Sequence, residues 1–138
     1  MTLRCIERSN MFEPLLEADP TFQEKWNSFQ EEFRSEREMP LYLALSDFAR
    51  HLINHLETGN THRFNEIFSV VESWHLDGDA YVREAAMVGL VEDLQNASLH
   101  QATHPGEFMP WLQPETLRAW NNIQAFWLKG TPLAGPRR

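Results

Sequence analysis

The residues of this sequence best suited to chemistry are two histidines four positions apart, His51 and His55, in the segment DFARHLINHLETG. On a helix that spacing places both imidazoles on one face, where they can share a metal ion. The zinc-protease signature requires glutamate directly after the first histidine, and Leu52 stands there instead. His62 and His75 are further donors that folding can bring in. On sequence alone the plainer expectation is that His51 and His55 are boundary residues of an amphipathic helix. Asp77 and Asp79 flank Gly78 in a way that suggests a cation loop. Ala80, Tyr81 and Val82 interrupt the alternating oxygen ligands that calcium needs, so Asp79 is read as a helix N-cap.

Other reactive groups are sparse. Cys5 is the single cysteine, with Arg4 beside it and no motif marking it as a nucleophile. A lone thiol excludes an intramolecular disulfide and a thiolate zinc cluster, and fits a reducing compartment. The chain has no phosphate-binding glycine loop, nucleophile elbow or dinucleotide fingerprint. Among 20 acidic residues some pair always resembles the carboxylates of a glycosidase, and spacing singles none of them out. No catalytic residue and no cofactor is implied.

Charge is more informative. The net charge is −8, and between Phe64 and Glu115 nine acids meet one base, Arg83. That segment therefore carries the whole imbalance. Such a field repels phosphate backbones, which argues against nucleic acid, and it favours a basic protein partner. Asp77, Asp79, Glu84, Glu92 and Glu107 are the candidate partner-binding carboxylates. Trp74, near the Asp77–Asp79 stretch, and Trp111, between two prolines, are candidate aromatic anchors. An acidic surface that only maintains solubility is the simpler alternative.

The elements that must position these residues read as helices throughout. Residues 1–138 suit a single all-α domain, a bundle of five or six helices with a frayed tail from about 130 to 138. A first turn lies in FEPLLEAD. Asp19-Pro20 then opens a helix with Asp19 as N-cap, and Phe22, Trp26, Phe29 and Phe33 form its apolar stripe. A third helix begins at Pro40 and stops before Gly59, with Leu41, Leu45, Phe48, Leu52 and Leu56 on one face. Asn60 or Thr61 is expected to cap the fourth, and residues 75–79 to form a turn. The fifth, opening at Asp79, is apolar nearly all round from Ala85 to Val91, which places it in the middle of the bundle. Gly89 within it implies close approach by a neighbour. The last helix spans about Pro114 to Trp127, with Leu117, Trp120, Ile123 or Gln124, and Trp127 on one side.

Asp79, Val82, Arg83, Ala86, Leu90 and Leu94 resemble the second helix of HEAT-type repeats, D-x-x-V-R-x-x-A-x-x-x-L-x-x-x-L. That resemblance implies helix-hairpin packing in which the aspartate and arginine bond to a neighbouring repeat. No second copy is present, because HLINHLETG lacks the D…VR opening. More broadly, the blocks PLYLALSDFARHL, VVESWHLDGDAYVREAAMVGLVEDLQN and FMPWLQPETLRAW resemble a family of small acidic bacterial proteins similar in size and character to toxin-immunity proteins. The implied function is a non-catalytic, cytoplasmic inhibitor that neutralises a basic cognate toxin. Two other functions fit the same residues: a metal-dependent enzyme using His51 and His55 with carboxylates, and a helical adaptor. The N-terminus, with Arg4, Glu7 and Arg8, lacks the apolar run of a signal peptide, and no membrane association is expected.

Overall fold

Apolar residues recurring at three- and four-residue steps become the buried faces of helices in the computed structural model, which describes residues 5–129. Arg4 and the tail from 130 onward lie outside the described residues. The helices are α1 (Phe12–Ala18), α2 (Gln23–Glu32), α3 (Leu41–Glu57), α4 (Phe64–Asp77), α5 (Ala80–Glu84), α6 (Glu92–Leu94) and α7 (Pro114–Lys129). Among the described residues there is no strand, and one isolated bridge joins Ile6 to Gly78.

The count exceeds the expected five or six for a local reason. Residues 80–94 form one continuous rod, but its middle, Ala85–Val91, is π-helical and separates α5 from α6. This widened middle packs on α3 and α7, as an all-round apolar surface requires. Gly89 lies where it touches α3. A Cβ there would stand 3.0 Å from Leu45 Cδ1 and 3.5 Å from Tyr42 Cδ2, so the glycine permits the contact.

The helix ends follow from capping chemistry. Asp19 Oδ1 accepts from Thr21 N at 3.2 Å, opening a 3-10 turn over Pro20–Phe22 ahead of α2. Gly59, at φ 77°, closes α3: Asn60 N bonds to His55 O at 2.8 Å and Gly59 N to Leu56 O at 3.2 Å, a Schellman arrangement. Asp79 Oδ1 accepts from Val82 N at 2.9 Å and Arg83 Nε donates to Gly78 O at 2.8 Å. The aspartate and arginine of the HEAT-like pattern thus both bond at their own corner. Two expectations are corrected. Arg63, whose side chain makes no capping bond, precedes α4 in place of a capping Asn60 or Thr61. His75, Leu76 and Asp77 belong to α4, which stops where Gly78 lets the backbone pass Trp74 O; a Cβ on Gly78 would meet that oxygen at 2.3 Å.

Candidate functional site

Two places concentrate polar groups. The first lies between the start of the α2 layer and α3. Pro20 turns the chain directly after α1, which directs Asp19 inward against the middle of α3, where it is fully buried. His51 is buried beside it and His55, one turn further on, is mostly covered. Their rings meet edge to face with centroids 4.4 Å apart. His51 Nε2 lies 3.3 Å and His55 Nε2 3.4 Å from Asp19 Oδ2. Thr21 Oγ1 bonds to Asp19 Oδ1 and approaches both imidazoles, at 3.0 Å from His51 Nε2 and 3.2 Å from His55 Nε2. The surface-boundary expectation for these histidines is therefore replaced by a buried, convergent cluster. Phe22 and Phe48 flank the His51 ring.

The cluster's electrostatics are those of an anion between bases. Burial pushes the Asp19 carboxyl up, but the contacts from His51 and Thr21 and the nearby imidazole charges outweigh it and hold it at about 2. Burial, together with repulsion from His51, pushes His55 below its usual range despite the attraction of Asp19. At neutral pH this pairs an ionised carboxylate with an uncharged imidazole. His62 acts on His55 only through its charge, and His75 lies elsewhere, half-buried near Glu72 and Glu115.

The second place is a surface groove of about 650 Å³ where α6 and the residues that follow it meet α7 and the 3-10 helix over Pro105–Trp111. Glu92 and Asp93 enter from α6, Gln95 and Asn96 follow, Pro105 and Gly106 form one wall, and Trp127 forms another. Trp127 is 60% exposed, although it continues the inner stripe of α7 after Trp120 and Ile123, both fully buried. Glu107 stands next to the groove wall, where it closes a capping box with His104 and pairs with that ring at 3.7 Å.

The remaining sequence candidates are dispersed. Asp77 and Asp79 lie at the opposite end of the 80–94 rod, Asp79 roughly 20 Å from Glu92 at 1.5 Å per helical residue, and Glu84 lies between them, roughly 12 Å from Glu92. Trp74 is a correction: it is fully buried, donating from Nε1 to Met11 O at 3.1 Å, because α1 crosses α4 at this point. It presents no surface to a partner. Trp111 is partly buried and packs edge-on against Phe64, centroids 4.9 Å apart, closing that end of the bundle. Sequence reasoning missed Trp127 and Asp93 in the groove and Asp19 in the histidine cluster. Only Asp19 carried a signal, as the Asp-Pro start of a helix.

Residues 12–128 match the model of a family described as a domain of unknown function (DUF7674). The chain belongs to this DUF7674 family. No curated protein and no solved structure matches it. The matched span runs from the first residue of α1 almost to the end of α7, so both the groove and the histidine cluster fall within the family's domain. No helix among the described residues is long and apolar enough to cross a membrane.

Proposed function

We propose that this DUF7674 chain is a non-catalytic protein-binding module that receives a cationic segment of its partner in the α6–α7 groove. One observation carries the reading: Glu92 and Asp93 line the same groove as the exposed indole of Trp127. Carboxylates next to an aromatic face suit a lysine or arginine side chain, which gains ion pairing and a cation–π contact together. The surplus acids of the second half of the chain would steer such a partner toward this end of the molecule. The likeness in size and charge to immunity proteins makes a basic toxin domain the concrete partner class.

The test is a nitrogen-15 NMR titration of the intact protein with a lysine- and arginine-rich peptide at physiological salt. Saturable shifts of the Glu92, Asp93 and Gln95 amides and of the Trp127 indole N–H are expected. Shifts spread evenly over exposed acids on α1 and α2, with none concentrated at the groove, would contradict the reading.

A further inference from the structure

The histidine cluster asks for a physical account that does not depend on the groove. Asp19 Oδ2 is completely buried and has no hydrogen-bond partner. Its nearest neighbours are two imidazole nitrogens at 3.3 and 3.4 Å, longer than good N–H···O bonds. A buried carboxylate oxygen left in this state is costly unless something else satisfies it. The same spacings have another meaning. A zinc-class ion bonded to nitrogen and oxygen at about 2.0–2.1 Å in a tetrahedron holds its ligand atoms about 3.3 Å apart. His51 Nε2 and His55 Nε2 thus each stand from Asp19 Oδ2 at the separation such an ion sets, and the three ligand atoms lie within 4.8 Å of one another. Thr21 Oγ1, 3.0 and 3.2 Å from the two nitrogens, lies on the side facing solvent.

We infer that Asp19, His51 and His55 form a binding site for a single zinc-class divalent transition-metal ion, with the Thr21 hydroxyl or a water completing the fourth corner. Two neutral imidazoles and one carboxylate suit zinc, cobalt or iron rather than calcium or magnesium, which prefer all-oxygen shells. The ion would fasten the Pro20–Phe22 turn to the middle of α3, replacing an unsatisfied contact with three bonds.

The surroundings also set its strength. Lys25 Nζ lies 3.3 Å from His51 Nδ1, and an ammonium has only protons to offer. That contact requires the His51 proton on Nε2, which also lies 3.0 Å from Thr21 Oγ1. A metal on Nε2 moves the proton to Nδ1, and Lys25 must leave. His55 Nδ1 is buried without a partner, so neither ring has the carboxylate or carbonyl that usually supports a ligating histidine. Moderate affinity follows, with Lys25 as a competitor of the ion.

The experiment uses the untagged full-length protein, stripped with chelator and titrated with cobalt(II), which absorbs visible light strongly only in four-coordinate sites. One cobalt per chain, displaced by zinc, is expected. His55→Gln and Asp19→Asn should abolish the band, whereas His62→Gln and His75→Gln should leave it. Lys25→Gln should tighten binding about tenfold, because glutamine can accept from Nδ1. Far-ultraviolet circular dichroism checks that each variant is folded. Should a buried variant unfold, zinc X-ray absorption on the wild type decides, with two imidazoles and oxygen expected in the first shell. No saturable band in folded wild-type protein, or a band that survives His55→Gln or disappears with His62→Gln, overturns the site. An unchanged affinity in Lys25→Gln overturns the competition by Lys25 alone.

Discussion

At Glu72 a single buried carboxylate joins two helices. Its oxygens accept from Glu115 N, Thr116 N and Thr116 Oγ1, each at 2.9 Å, satisfying the first turn of α7 from α4. Burial pushes the Glu72 carboxyl up, and these bonds with the nearby His75 outweigh it, leaving it below its ordinary 4.5. His75, one turn on, is pushed below its ordinary 6.5 by burial, against the pull of Glu72 and Glu115. Both groups hold protons less tightly folded than unfolded, so acid favours the unfolded chain. The His75 contribution is complete above pH 6.5 and declines as pH falls below it; the Glu72 contribution is complete above 4.5 and is lost beneath that. Urea midpoints measured across this range should therefore fall in two stages toward acid. His75→Gln should weaken the upper stage, and a midpoint flat from neutral pH down through both values would refute the assignment. The sequence marked Asp79 as a cap and His51 with His55 as a pair, because those signals are local. The partnership of Glu72 with Thr116, and of Asp19 with the histidines, was illegible, since residues more than thirty positions apart meet only through packing.

Among the elements, the 80–94 rod is the one the others surround. Its apolar run and Gly89 were readable as a packing surface, and the structure sets Gly89 against Leu45 and Tyr42 on α3. Gly89→Leu should overpack this crossing at a cost on the order of 1–3 kcal/mol. Thermal and urea unfolding measure it, and a variant as stable as its parent would remove the rod from the centre of the bundle. The π-helical middle was not readable, because a shifted backbone hydrogen-bond pattern leaves no mark in residue type. The α7 stripe misled in another way. Its period is correct through Trp120 and Ile123, but periodicity gives direction without showing where the neighbouring helices end, and Trp127 emerges into solvent.

Over the whole molecule, the acids of the second half are not equivalent. Glu72, Asp79 and Glu107 serve helix ends, so reversing them would damage the fold along with the charge. Glu92 and Asp93 lie on the groove with Trp127. The decisive measurement is the association rate of a lysine- and arginine-rich peptide with Glu92→Lys/Asp93→Lys, followed across a salt series. Glu13→Lys/Glu17→Lys serves as control, placing the same charge change on exposed residues of α1. A groove that receives a cationic segment predicts that the first variant slows association on the order of tenfold at low salt and flattens its salt dependence, while the control changes little. Equal slowing by both pairs would mean that only net charge matters, and the groove would have no special role.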